Sequence, residues 1–158
     1  MRTPELARQL AALRSVIRRT GHDHSTKALE MQAHWAKYAC VLTAGFIENM
    51  VRHIYGAYTS KSTTNRKLVN YISKQLEGEQ NPKHDKLIKI AKAFDDTWGK
   101  DLEAHLEKDF RRDAINSIIS NRHLIAHGRN SHITVAQVDQ HLKRIVSVAE
   151  FMEDQCGI

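Results

Sequence analysis

Apolar residues recur along this chain at the three- and four-residue intervals of helices, and no segment sustains the two-residue alternation of a half-buried strand. Leu6, Leu10, Leu13 and Ile17 form the first stripe. Thr3-Pro4 precedes it, a cap residue followed by the residue best suited to a helix's first turn. Arg14, Arg18 and Arg19 load its far end, where cations suit the helix dipole, and Gly21 stops it. The pattern predicts a helix over residues 3–19. A long helix follows over 25–58, capped by Ser25, with Glu30, His34, Lys37, Glu48 and Arg52 on its charged arc. Between those charges, residues 38–47 (YACVLTAGFI) carry none, which predicts a segment buried on every side. Such a run is too short to span a bilayer, so it reads as the central helix of a bundle.

A polar loop over 59–66 separates this helix from one over 65–77, and the Gly78-Glu79-Gln80-Asn81-Pro82 stretch is a clear break. The next helix is predicted over 83–98, with Leu87, Ile88, Ala91 and Phe94 on one side; residues 99–108 leave room for a short one. A further helix covers 109–126 and ends at Gly128. After a loop over 127–132, Thr134 caps a last helix reaching residue 155, with Val138, Leu142, Ile145, Val148, Ala149 and Met152 as its stripe. No repeat, low-complexity stretch or linker divides the 158 residues, a length that one core supports without staples. The expected fold is a single all-α domain, a bundle of five to six helices around a long central one.

Composition narrows the class. Seven Gly and two Pro supply few of the turns an all-β fold requires. Cys40 lies in the uncharged run and is expected to be buried; Cys156, near the end, is expected to be exposed. Two cysteines make no disulfide framework and fit a reducing, cytoplasmic setting. The first residues open a charged helix without the apolar core of an export signal. Twenty-four Lys and Arg against eighteen Asp and Glu give a net charge of +6, with ten His besides. That balance favours a polyanionic partner, and His protonation near pH 6 would strengthen the field.

The segment over 109–126 holds the most chemistry. Ile115, Ile118, Ile119, Ile125 and Ala126 trace its core stripe, yet Arg122 falls where an apolar residue is due. A guanidinium there must find partners or face a crevice. Beside the stripe run Arg112, Asn116, Ser120, His123 and His127, three to four residues apart and so on one face. This face is polar but nearly uncharged, as suits an interface or a cleft. His127 stands where the helix stops, able to project past its end. An imidazole takes up a proton near neutral pH, and a guanidinium holds two phosphate oxygens at once. Together they suit RNA transesterification, in which a base removes the 2′-hydroxyl proton and a cation stabilises charge on the phosphoryl oxygens, with no metal. Structural readings stay open: Arg122 in a salt bridge with Glu48, His127 as a simple helix cap, His123 and His127 as two metal ligands lacking a third. Gly21-His22-Asp23-His24 is ligand-like too, but reads more simply as a polar turn and cap.

Asn121-Arg-His-Leu-Ile-Ala-His-Gly128, an Arg-polar-x-x-x-His motif ending a late helix, resembles the signature of the HEPN superfamily, and of its RiboL-PSP-type domains in particular. Ala44-Gly-Phe-Ile-Glu48 is similar to the segment that precedes the motif helix in those domains. The resemblance covers about residues 25–155. It implies an α-helical bundle that dimerises with two motifs face to face. It also implies RNA cleavage without metal or cofactor, in toxin–antitoxin or other defence systems, with an antitoxin protein as a further partner. Carried over by position, Arg122 and His127 form the catalytic pair, His123 orients the site and Glu48 holds Arg122. Asn116, Ser120 and Asn121 are expected to support it. His127 is followed by Gly128-Arg129, with no Tyr two positions on, so control by tyrosine AMPylation is not expected. Many domains of this fold bind RNA or protein without catalysis, which is the alternative reading.

Overall fold

The computed structural model describes residues 1–19 and 26–158. Among these residues are seven helices and no strand: α1 (Pro4–Arg19), α2 (Thr26–Ser62), α3 (Arg66–Glu77), α4 (His84–Phe94), α5 (Asp96–Leu106), α6 (Arg111–Ala126) and α7 (Val135–Gln155). The Ser25 cap and the Gly21-His22-Asp23-His24 turn lie outside the described residues. α2 is the central helix, packing against α1, α3, α6 and α7. The predicted stripes meet in one core: Leu6, Leu10 and Leu13 from α1, Ile47, Met50 and Ile54 from α2, Ile115 and Ile118 from α6, and Val138, Leu142 and Ile145 from α7. No described helix is long and apolar enough to cross a membrane.

The seventh helix comes from a break at Asp95, where the sequence pattern predicted one continuous helix. Asp95 is extended (φ −160°, ψ 129°), and its carboxylate accepts the Thr97 and Trp98 N–H groups at 2.7 and 3.2 Å. It thus closes α4 and caps α5. The two helices then fold tightly together. A Cβ at Gly99 would lie 2.0 Å from the Lys92 Cγ, so only glycine fits between them. α2 also runs four residues past its expected end. Thr59 and Ser62 direct their hydroxyls to the carbonyls of Tyr55 and Tyr58, at 2.8 and 2.9 Å, and stay within the helix.

Two burial expectations are corrected. The uncharged run of α2 is not enclosed on every side: Ala39, Cys40, Ala44, Phe46 and Ile47 are buried, but Tyr38 and Val41 are 50% and 40% exposed. With Met31 and Trp35 they form a bare apolar stripe, since no other helix among the described residues covers that face. Cys156 is buried, like Cys40, because α7 ends in a turn through Gly157 (φ +62°) that folds the last residues back on the bundle. Burial pushes both thiols up to about 12, so neither is a ready nucleophile.

The strands of sequence that begin and end the chain are tied by a carboxylate the pattern did not flag. Glu153, 1% exposed, accepts the backbone N–H of Arg2 at 2.7 Å and of Thr3 at 2.8 Å. α7 starts at Thr134, the cap that its sequence predicts, and Gln137 completes a reciprocal capping box with it.

Candidate active site

α6 owes its position to Ala114, Ile115, Ile118 and Ile119, all at most 3% exposed, which seat its first three turns in the core. Cys40 of α2 adds an Sγ contact to the Ile118 carbonyl at 3.6 Å. The helix enters through two consecutive left-handed residues, Asp109 (φ 54°) and Phe110 (φ 57°), and so starts at Arg111. Its last turn rises out of the core. Arg122 and Ile125 are half-buried, and His123, Ala126 and His127 are exposed.

The end of the helix is fixed by its backbone. Gly128 adopts φ +65°, its N–H bonds the Ile125 carbonyl at 3.1 Å, and the Arg129 N–H bonds the Leu124 carbonyl at 2.9 Å. These are the paired bonds of a Schellman termination, which requires a left-handed residue and is best served by glycine. His127 is the C-cap residue (φ −95°, ψ 15°), held at the lip of the helix. Its ring packs edge-on against that of His123, with centroids 4.3 Å apart at 60°. Arg122, one residue before His123, has no ion pair or hydrogen bond among the described residues. Two imidazoles and a guanidinium therefore share one open turn. Among the described residues no three His, Cys, Asp or Glu side chains converge as a metal site.

The supporting residues divide. Asn121 spans the base of the motif: its Nδ2 donates to the Ser117 carbonyl at 2.9 Å and its Oδ1 accepts from the buried Ser131 hydroxyl at 2.8 Å. It thereby ties the loop after His127 back to α6. Asn116 accepts from the His84 N–H at 3.3 Å and lies 3.0 Å from His84 Nδ1, so it anchors the start of α4. Ser120 is exposed and its side chain makes no such tie among the described residues. Glu48 is not within ion-pair distance of Arg122. Its Oε1 accepts the Asn81 N–H at 2.8 Å, because the left-handed backbone at Asn81 (φ 47°) turns that group toward α2. Arg112, at the far end of the polar face, pairs with Glu107 at 2.8 Å.

Beside this turn lies a cleft of about 450 Å³ between the α3–α4 loop and α6, with Gln80, Asn81, Lys83 and His123 on its walls. The sequence marked 78–82 only as a helix break. The polar, amide-rich make-up of that break was the one local sign of a binding wall.

Compared with known families, residues 7–157 match a family model described as RiboL-PSP-HEPN. No curated protein and no solved structure matches the chain.

Proposed function

We propose that this chain, which belongs to the RiboL-PSP-HEPN family, is a metal-independent endoribonuclease whose catalytic pair is Arg122 and His127. The observation that carries the reading is the last turn of α6, which holds a half-buried guanidinium with no ion pair or hydrogen bond among the described residues and two exposed imidazoles in contact. His127 removes the proton from a ribose 2′-hydroxyl. The resulting oxygen attacks the adjacent phosphorus, the P–O5′ bond breaks, and the leaving oxygen takes a proton from a second imidazole or from water. Arg122 binds the non-bridging oxygens and stabilises the charge that builds there. His123 packs against His127 and fixes its ring. One product ends in a 2′,3′-cyclic phosphate.

The site is completed by a second copy of the chain, with two motifs around one phosphodiester. The bare stripe of Met31, Trp35, Tyr38 and Val41 on α2 supports such pairing, because large apolar side chains, and Trp and Tyr above all, anchor interfaces. Trp35 and Tyr38 also pack edge-on at 5.8 Å, a preformed aromatic pair. The net charge of +6 draws the RNA. By its family the enzyme works in the cytoplasm within a defence or toxin–antitoxin system, with an antitoxin protein as its partner.

The test is single-stranded RNA incubated with pure protein in EDTA, beside Arg122→Ala and His127→Ala. Cleavage by the parent alone is expected, with losses of roughly 10²–10⁴-fold in each variant. Activity that vanishes with chelator, or equals that on DNA, sinks the mechanism, since DNA has no 2′-hydroxyl. RNA bound but uncleaved across salt and pH moves the reading to a non-catalytic binding module. For the dimer, Trp35→Glu is expected to weaken self-association about 30-fold in sedimentation, the worth of one interfacial anchor. An unchanged dimer would put the interface on another face.

A further inference from the structure

The cleft beside the motif has walls that a phosphate would not need. Its floor is Ile119, an apolar core residue, and its rim carries the exposed ring of His123. Gln80 and Asn81 supply two carboxamides, each both donor and acceptor. Asp85 adds a carboxylate, which repels a phosphate but accepts from an amine. Lys86 already has its charge met by Glu79 at 2.8 Å. An apolar floor, an exposed imidazole at the rim and amides on the wall together match a planar heterocycle with hydrogen-bonding edges. About 450 Å³ is room for one group of that size.

We infer that this cleft is a nucleobase subsite, which holds a base of the RNA next to the phosphodiester bound at Arg122 and His127; it rests on the nuclease reading above. His123 stacks on the base, and exposed Lys83 at the rim meets the backbone beyond it. Asn81 reads the edge. Its backbone is left-handed at φ 47°, a conformation Asn adopts more readily than other non-glycine residues. The Glu48 carboxylate accepts the Asn81 N–H at 2.8 Å from another helix and anchors that turn. Glu48 is thus a positioning residue for the subsite. The Asn81 Oδ1 is buried with no donor among the described residues. Rotation about the soft terminal torsion of the side chain brings an acceptor to the cleft wall. An acceptor in want of a donor, with Asp85 beside it, favours a base that bears an exocyclic amine over uracil.

Cleavage ends mapped on an RNA of mixed sequence should show adenine, cytosine or guanine favoured over uracil about tenfold at one position flanking the cut. Asn81→Gly, which keeps the left-handed backbone and removes only the carboxamide, should flatten that preference. Gln80→Ala, at an exposed position that folding does not depend on, should reduce it in part. Glu48→Gln should also reduce it. A preference that survives Asn81→Gly and Gln80→Ala overturns the proposal, and so does cleavage by the parent with no preference at all. If nothing is cleaved, the nuclease reading fails by itself and binding decides the subsite. Labelled twelve-residue oligoadenylate, oligocytidylate and oligouridylate are titrated against the parent and Asn81→Gly. Discrimination against uridylate that is lost in Asn81→Gly upholds a base pocket without catalysis, and equal affinities for all three overturn it.

Discussion

Two regions of this molecule treat their polar groups in opposite ways. Where α7 meets the start of α1, the Glu153 carboxylate is 1% exposed and both its oxygens accept backbone N–H groups, while Arg2 pairs with Asp154 at 2.6 Å. At the end of α6, the side chains of Arg122, His123 and His127 have no ion pair or hydrogen bond among the described residues, only the contact between the two rings. Buried polar groups are satisfied as a rule, because a missing partner costs about 1–3 kcal/mol. The Glu153 carboxylate follows that rule and holds the seam together, although the buried Thr3 hydroxyl has no hydrogen-bond partner among the described residues. The motif turn stays open at its surface, and on the proposed reading its side chains meet a ligand there.

The sharpest way to break the comparison is to delete a group from each region. Arg122→Ala and His127→Ala should cost the roughly 10²–10⁴-fold of activity stated above and leave the unfolding midpoint within a degree or two of the parent's, since neither group is tied to the fold. Glu153→Ala should do the reverse. It strands the buried N–H of Thr3 and the part-buried N–H of Arg2, which costs about 3 kcal/mol, or roughly 10 °C in a domain of this size. Activity at a temperature well below the new midpoint should be kept. A large loss of stability in His127→Ala, measured by thermal circular dichroism, would show that the motif turn is structural after all.

Acid sharpens the same contrast. Burial by itself raises the Glu153 carboxyl, but the Thr3 and Arg2 N–H groups that bond it outweigh burial and hold it below its ordinary value of 4.5. A carboxyl with a lowered folded value contributes stability above its unfolded value and loses that contribution as pH falls through the folded one. The seam should therefore weaken below about pH 4.5. In Glu153→Gln that acid step should be missing from a plot of midpoint against pH.

How far the sequence carried these conclusions differs between elements for physical reasons. Helices with one buried face, such as α1 with Leu6, Leu10, Leu13 and Ile17, declare themselves because burial imposes the period. The break at Asp95 was hidden because Phe94 and Trp98 lie in register on either side of it, and a cap signal inside an apolar pattern is easily read as part of the helix. The bare stripe of α2 was misread since an uncharged run reveals composition but not which faces have a neighbour. Glu48 was assigned to Arg122 by position along a helix, whereas its partner depends on the left-handed turn at Asn81, a loop conformation without period. The motif itself was readable because its parts are local, three to five residues apart on one turn. The cleft was not, as it joins loop 78–82 to a helix forty residues later.

The smallest effect concerns the other histidines. His105 and His141 are half-buried, in contrast to the exposed pair of the motif. Burial lowers both below the ordinary value of 6.5, helped by the Arg111 charge beside His105 and the Arg144 charge beside His141. The His105 ring lies stacked on Phe151 with centroids 4.1 Å apart, and its Nε2 is buried without a partner among the described residues. A histidine lowered in the folded state binds its proton more readily when unfolded. Stability is then whole above about pH 6.5 and drains away as pH falls toward the folded values, before the Glu153 step begins. His105→Phe, which keeps the stacked ring and removes the proton site, should shallow the fall in midpoint as pH drops below about 6.5. His123→Phe, at an exposed position, should leave that slope unchanged. Equal slopes in the parent and His105→Phe would mean that the acid sensitivity in this range comes from elsewhere in the fold, and the division between histidines that serve packing and histidines that face a ligand would have to be drawn without it.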